Sequence, residues 1–172
     1  LKLVVDLLDF HRLDLHKAEI NRVTFHPARL LEEIHVSFEP LTSAKGLELH
    51  CNIASELEGT YISDPLRLRQ IINNLLSNAV KFTEPGGTIK LTEQSDDSEI
   101  RVSVEDNGCG MTEETRKHIF DKFYQGDTSH AMAGNGLGLA LALRVLQLND
   151  YKIEVESEPG RGSKFTVIIP KR

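Results

Sequence analysis

Four polar side chains follow one another along an otherwise apolar segment between residues 65 and 82. Spacings of 7, 4 and 3 residues put them on one side of a helix: Arg67, Asn74, Asn78 and Lys81. Asparagine is a poor helix former, so two of them one turn apart suggest a chemical role. An amide oxygen can bind Mg²⁺ and a lysine can bind phosphate. The alternative interpretation is an ordinary solvated helix face.

A second polar segment, Asp106-Asn107-Gly108-Cys109-Gly110, directly follows a predicted strand. A buried carboxylate at the end of a strand can accept a hydrogen bond from an exocyclic amine. The glycines allow the backbone to approach a planar ring closely. The simpler alternative is an Asx turn that closes a hairpin.

A third segment, Gly134-Asn135-Gly136-Leu137-Gly138, opens a predicted helix. Successive backbone N–H groups at the beginning of a helix can bind an anion. The segment is not a dinucleotide fingerprint, because Leu139 stands where the last glycine would be. The sequence also has no Gly-Lys-Ser/Thr of a P-loop and no Asp-Phe-Gly of a protein kinase.

The elements that must position these segments alternate between helix and strand patterns. Hydrophobic periodicity predicts helices over 1–15, 28–40, 65–82, 113–120 and 137–148. It predicts strands over 22–25, 47–53, 60–62, 88–94, 99–105, 151–156 and 163–169. We therefore expect an α/β fold, a two-layer sandwich of a mixed, mainly antiparallel sheet with helices on one face.

Length and composition exclude several classes of protein. The chain has 172 residues, 20 basic and 26 acidic, so its formal charge of −6 argues against an electrostatically driven nucleic-acid binder. The longest apolar run, Leu137 to Leu143, is far shorter than the roughly 20 residues that cross a bilayer. Two cysteines suit a reducing compartment. We expect a cytoplasmic piece of a longer chain, because the sequence begins inside a predicted helix without a secretory signal.

The first predicted helix carries a wide apolar stripe. The stripe contains Leu1, Val4, Val5, Leu8 and Leu15, and it is broadened by Leu3, Leu7 and Phe10. This stripe favours two interpretations equally. The helix packs on its own domain, or it is half of a helical bundle whose other helices are missing from this sequence.

Four segments, in this order, resemble the sequence boxes of the ATP-binding catalytic domain of bacterial sensor histidine kinases, within the GHKL ATPase superfamily. Residues 74–83 resemble the N box, 106–110 the G1 box, 119–124 the F box and 134–139 the G2 box. The resemblance covers residues 22–170. Residues 1–20 resemble the end of the second helix of the dimerisation and phosphoacceptor domain, which places the boundary before residue 21.

The resemblance implies a role for each of these residues. The implied nucleotide-binding residues are Asn74, Asn78, Lys81, Phe82, Asp106, Gly108, Gly110, Gly134, Gly136, Leu137 and Gly138. Among them, Asn78 would bind Mg²⁺, while Asn74 and Lys81 would reach the phosphates of ATP; these three would be catalytic. Phe82 would lie against the base and Asp106 would accept from the adenine amino group. Residues 111–134 would form a lid over the nucleotide.

The implied activity is transfer of the γ-phosphoryl group to a histidine of a phosphoacceptor domain, and then to an aspartate of a response regulator. None of the seven histidines here precedes an acidic residue, as the acceptor does in that family. The parent would be a homodimer, and this part of it would contact neither nucleic acid nor membrane. Two alternatives stay open: a GHKL-type ATPase, and a degenerate module that binds nucleotide weakly and serves protein contacts.

Two features bear on these alternatives. Related ATPases carry a water-activating glutamate at the position of Asn74, and an amide cannot take that proton, which favours a phosphotransferase. The lid departs from the family pattern, because Gln125 replaces a frequent arginine and Asn135 a frequent threonine. In the lid, Lys122 and His130 are the other candidates for phosphate contacts.

Overall fold

The computed structural model describes residues 2–14, 19–54, 60–126 and 136–171. Within these ranges the helices are α1 (Lys2–Asp14), α2 (Pro27–Lys45), α3 (Pro65–Phe82), α4 (Glu113–His118) and α5 (Gly138–Leu148). The strands are β1 (Val23–Phe25), β2 (Glu48–Ile53), β3 (Tyr61–Ser63), β4 (Thr88–Ser95), β5 (Glu99–Asp106), β6 (Lys152–Glu158) and β7 (Gly162–Pro170).

The main sheet has five strands in the order β2-β4-β5-β7-β6. β2 pairs with β4 in parallel, and every other neighbouring pair is antiparallel. Side chains alternate along the central strands, so one face of the sheet is apolar and packs against α2, α3 and α5. The predicted fold class, a mixed and mainly antiparallel sheet with helices on one face, is confirmed. β1 and β3 form a separate antiparallel pair.

α3 lies at the centre of the helix layer. It begins at Asp64, whose carboxylate accepts a hydrogen bond from the backbone N–H of Arg67 at 3.1 Å, and Pro65 occupies the first helical position. One face of α3 is buried in the core, through Leu68, Ile71, Ile72, Leu75, Leu76, Ala79 and Val80. The opposite face of α3 lies outside this buried core, at the edge of the sheet where β5 ends.

α2 extends beyond its predicted end. A proline usually breaks a helix, so the sequence predicted a stop at Pro40, but α2 continues to Lys45. Two contacts support the extra turn: the buried Thr42 hydroxyl donates to the Phe38 carbonyl at 3.1 Å, and Gly46 closes the helix with a left-handed φ of 74°. The misplaced boundary matters, because the extra turn carries Lys45 to the end of α3.

α1 is attached to the core by its last turns. Phe10 and Leu13 are buried, and the Arg144 guanidinium of α5 donates to the Leu13 carbonyl at 3.4 Å. The rest of its apolar stripe is about half exposed, at Leu3, Val4, Val5, Leu7 and Leu8. The two ends of the predicted stripe, Leu1 and Leu15, lie outside the described residues. Across the described ranges, no helix combines the length and the apolar character that crossing a bilayer needs.

Candidate functional site

The exposed side of α3 carries the predicted polar residues. Asn74, Asn78 and Lys81 are half-buried, and the Phe82 ring in the last turn is 40% exposed. The Lys81 ammonium lies 4.9 Å from the centroid of that ring. Positions 74, 78 and 82 follow one another one turn apart, so they form a row along the helix. Arg67 lies about 10 Å further back along the axis and donates to the Gln70 amide oxygen at 3.0 Å.

Asn74 carries a buried hydrogen-bond donor, its side-chain Nδ2. This atom makes no hydrogen bond to any residue in the described ranges. A buried unpaired amide costs roughly 1–3 kcal/mol, so a ligand oxygen at this position would be stabilised by it. The beginning of α5 lies alongside, since a Cβ on Gly138 would be 3.6 Å from the Asn74 Oδ1.

Asp106, the last residue of β5, is buried, with 8% of its surface exposed. Its Oδ1 accepts the backbone N–H of Gly108 at 2.9 Å, and Ser163, its partner in the β5–β7 ladder, places a backbone N–H near the same carboxylate. Burial raises the pKa of Asp106, the N–H groups of Gly108 and Ser163 oppose the rise, and the charge of Glu105 adds to it. The two N–H donors leave acceptor capacity on the carboxylate for a ligand.

The loop after Asp106 rests on the last turn of α3. The backbone N–H of Cys109 donates to the Phe82 carbonyl at 3.2 Å. A Cβ on Gly108 would lie only 2.2 Å from that same oxygen, so only glycine fits. The G1 segment and the end of α3 are therefore in direct contact. Asn78 lies between this contact and Asn74, which has Gly138 alongside it.

The residues before α5 are held by the F-box segment. The backbone N–H of Phe123 donates to the Gly136 carbonyl at 3.0 Å, and Gly136 has a φ of 69°. A Cβ there would lie 2.6 Å from the Phe123 carbonyl carbon. Leu137 is the N-cap of α5, and its side chain is buried at 1% exposure. Gly134 lies outside the described residues.

The described part of the predicted lid contains α4 and a charged cluster. The His118 Nδ1–H donates to the Asp121 carboxylate at 2.8 Å, and the His118 Nε2 lies 3.3 Å from the Glu114 carboxylate. The bond to Asp121 raises the pKa of His118. The Lys122 ammonium lies 4.1 Å from the centre of the Phe10 ring, which directs it towards α1. His130 and Asn135 fall in the range 127–135, outside the described residues.

Sequence reasoning missed two supports of this site. The Lys45 ammonium donates to the carbonyl oxygens of Val80 and Lys81 at 2.6 and 3.1 Å, and so caps the end of α3. The turn between β6 and β7 contacts the G1 segment, where the backbone N–H of Gly160 donates to the Cys109 carbonyl at 2.7 Å. Both contacts join residues that are far apart in the chain, so no local sequence pattern predicts them.

Residues 63–172 match the model of the histidine kinase-, DNA gyrase B- and HSP90-like ATPase family. The chain belongs to this family. It is 38% identical over 172 residues to the sensor histidine kinase RcsC of Escherichia coli (strain K12), an alignment that takes in 99% of this chain and 18% of RcsC. The chain thus spans about a fifth of the length of the curated relatives it matches.

Solved histidine kinases have the same fold. The crystal structure of full-length ShkA in complex with AMPPNP superimposes with a TM-score of 0.89 at 35% identity, covering 99% of this chain and 35% of ShkA. A nucleotide-free catalytic domain of histidine kinase ThkA gives 0.77 at 28% identity, covering 88% of this chain and 96% of that domain. The family that the four sequence boxes predicted is confirmed.

Proposed function

We propose that this chain is the MgATP-binding catalytic part of a sensor histidine kinase, which transfers the γ-phosphoryl group to a histidine of a phosphoacceptor domain. The observation that carries the proposal is a convergence on one side of α3. The G1 loop contacts Phe82, the beginning of α5 lies alongside Asn74, and Asn78 lies between them. Family membership and the likeness to ShkA, whose structure is a complex with AMPPNP, support ATP as the ligand.

Asp106 would recognise the base. Its buried carboxylate, already oriented by the Gly108 N–H, would accept a hydrogen bond from the adenine amino group. A base without that amine would leave a buried acceptor unpaired, at a cost of roughly 1–3 kcal/mol. Phe82, exposed over 40% of its surface beside the same loop, would lie against the base. Gly108 and Gly110 would shape this pocket.

Asn74 and Lys81 would hold the phosphates. The Nδ2 of Asn74, which has no hydrogen-bond partner among the described residues, would donate to a phosphate oxygen. The Lys81 ammonium would contribute a positive charge one turn beyond Asn78. The N–H groups at the beginning of α5, at Gly136, Leu137 and Gly138, would add donors at the positive end of the helix dipole.

The amide oxygen of Asn78 would bind the metal ion. Mg²⁺ prefers oxygen ligands and keeps water and phosphate oxygens around it, so one protein amide is a sufficient contribution. When bound, the ion neutralises charge on the phosphates. The row of positions 74, 78 and 82 would then place phosphate, metal and base in that order along α3.

The residue types favour transfer over hydrolysis. A hydrolase needs a base that takes a proton from water, and the amide of Asn74 cannot accept it. An imidazole nitrogen already carries a lone pair, so its attack requires positioning and charge neutralisation rather than a strong base. The chain's own groups supply those two functions.

We further propose that residues 1–20 end the second helix of the dimerisation and phosphoacceptor domain, and that residues 21–172 form the catalytic domain. The half-exposed apolar stripe of α1 supports this, because such a surface is covered in a helical bundle. The parent would be a homodimer that passes its phosphoryl group to a response regulator. A cytoplasmic location agrees with the free thiols of Cys51 and Cys109.

A phosphotransfer assay tests the proposal. The chain is mixed with a phosphoacceptor bundle and labelled MgATP, and acid-labile, alkali-stable phosphate is measured on the bundle. We expect Asn78→Asp and Asp106→Asn to abolish transfer, while the exposed controls Asn52→Asp and Asp97→Asn retain it. Transfer at the unsubstituted rate by either site variant would contradict the assignment. Phosphate release without an acceptor would instead indicate an ATPase, and absent ATP binding a degenerate module.

A further inference from the structure

The hairpin of β6 and β7 contacts the G1 loop, residues 106–111, at three points. The backbone N–H of Gly160 donates to the Cys109 carbonyl at 2.7 Å, and the backbone N–H of Met111 donates to the Ser157 hydroxyl at 2.8 Å. At the third point Ser163 pairs with Asp106 across the β5–β7 ladder, with its backbone N–H near the Asp106 carboxylate. These segments are about fifty residues apart in the chain, yet the hairpin contacts the loop at its beginning, middle and end.

Two glycines allow the two segments to approach so closely. Gly162 has a φ of 101°, and a Cβ there would lie 1.9 Å from the Asp106 carbonyl oxygen. Gly110 has a φ of 65°, and its Cβ would lie 2.0 Å from the Glu158 carbonyl oxygen. Each segment thus has a glycine where the backbone of the other passes.

Ser157 is the side chain at the centre of this contact. Its half-buried hydroxyl accepts from the Met111 N–H and donates to the Gly162 carbonyl at 3.0 Å. The Ser163 hydroxyl lies 2.9 Å away and completes the set. A hydroxyl has one donor and two acceptor positions, and all three are used here. One oxygen therefore links the G1 loop to both strands of the hairpin.

We propose that Ser157 is a positioning residue for base recognition, an inference that rests on the proposed role of Asp106. The G1 loop begins at the Asp106 carboxylate and returns to the sheet at Met111. Fixing Met111 through Ser157 keeps the loop pressed against Gly162, and this keeps the Ser163 N–H on the carboxylate. Without the hydroxyl, the carboxylate gains rotational freedom and aligns less well with an amine.

Titration calorimetry with Mg²⁺ and two nucleotides tests the proposal. ADP carries the amine that Asp106 would bind, and inosine diphosphate carries an oxo group in its place. We expect Ser157→Ala to weaken ADP binding five- to tenfold and to leave inosine diphosphate binding within twofold, so that selectivity falls. Ser157→Thr, which keeps the hydroxyl, should restore selectivity. Hydrogen exchange at the Met111 amide should accelerate in Ser157→Ala.

Ser103→Ala is the matched control, because it removes a hydroxyl pair with Thr166 between β5 and β7 away from the loop. A merely structural Ser157 would weaken both nucleotides equally, and that result, or unchanged selectivity, would overturn the inference. Ser157→Cys, nearly the same size with a weaker hydrogen bond, serves if Ser157→Ala does not fold; we expect an intermediate loss. An unsubstituted chain that does not prefer ADP would instead overturn the role of Asp106.

Discussion

The chemistry of the proposed site depends most on Asp106, because it is a buried carboxylate oriented by a backbone N–H group, that of Gly108. Burial raises the pKa of Asp106 while the N–H groups of Gly108 and Ser163 lower it, and burial is the larger effect. Asp106 therefore takes up a proton at a higher pH than an exposed aspartate, which titrates at about 4. A protonated carboxyl is a poorer acceptor for the adenine amine.

The first prediction concerns the pH dependence of nucleotide affinity. As pH falls through the raised pKa of Asp106, the affinity for MgADP should decrease, and the decrease should begin above about pH 4. Asp106→Asn should bind weakly at every pH and show no such slope, whereas Asp97→Asn should follow the unsubstituted chain. Calorimetric titrations at several pH values measure this. A parallel pH profile in Asp106→Asn would exclude Asp106 as the titrating group.

Glu93 is a second buried carboxylate, remote from the site, and it affects stability. Its Oε1 is buried without a hydrogen bond to any described residue, while Oε2 accepts the Ala54 N–H at 3.2 Å. Burial raises the pKa of Glu93, and the Ala54 N–H and the charge of Lys171 oppose the rise. The folded state thus binds the proton more tightly than the unfolded state. The free energy of unfolding consequently falls as pH rises from about 4.3 through the raised pKa.

Glu93→Gln should therefore stabilise the protein at pH 8, by about 1 kcal/mol, since an amide carries no buried charge and still accepts from Ala54. The difference in melting temperature between pH 5 and pH 8 should also narrow. Thermal unfolding followed by circular dichroism measures both, with the exposed Glu156→Gln as control. A Glu93→Gln chain no more stable than the unsubstituted one at pH 8 would refute the explanation.

At the scale of the elements, the last turn of α3 depends on its neighbour α2. The Lys45 ammonium bonds the two carbonyls that α3 leaves open at Val80 and Lys81. A cation at this end also interacts favourably with the helix dipole. The turn it stabilises carries Lys81 and Phe82 and supports the G1 loop.

Lys45→Met should lower the free energy of unfolding by about 1 kcal/mol and weaken nucleotide binding, because the methyl-thioether chain keeps the packing but not the cap. Arg29→Met, an exposed substitution on the same helix, should do neither. Urea unfolding and ADP titration measure the two effects. Equal stability of Lys45→Met and Arg29→Met would show that the cap contributes nothing.

Helix boundaries could be predicted from the sequence where local capping residues and apolar patterns mark them. α3 was predicted from Pro65 to Phe82 as observed, because Asp64 and Pro65 mark its beginning and its apolar face is continuous. α2 was predicted five residues too short, since the buried Thr42 and the Gly46 cap outweigh Pro40. Lys45 and Ser157 could not be found, because their partners lie 35 and 46 residues away. The candidate site residues were predicted from the resemblance of the four boxes to a known family, and not from the spacing of the residues.

At the scale of the whole molecule, the end of β5 at Asp106 and the beginning of α5 at Gly138 lie on the side of α3 that carries Asn74. The order of the strands brings the end of β5 beside this helix. The same architecture leaves α1 with an exposed apolar stripe, although Phe10 and Leu13 attach it to the core. If α1 belongs to a dimeric bundle, this stripe pairs with that of a second copy.

Leu8→Glu should reduce self-association, because a charge in the middle of an apolar helix contact is costly to desolvate. Leu66→Glu is the matched control, since Leu66 is 70% exposed at the beginning of α3, away from the stripe. Sedimentation equilibrium of the chain, alone and extended at its beginning by a phosphoacceptor bundle, measures the monomer–dimer constant. Equal constants for both variants would speak against α1 as a dimerisation helix.

The most direct test of the central claim is a nuclear magnetic resonance titration of the isotopically labelled chain with MgADP. If one nucleotide is bound by the side of α3, the end of β5 and the beginning of α5, the amide signals of Asn78, Asp106 and Gly138 will shift together and give one common dissociation constant. Shifts confined to one of these three segments, or different constants for each, would contradict the account.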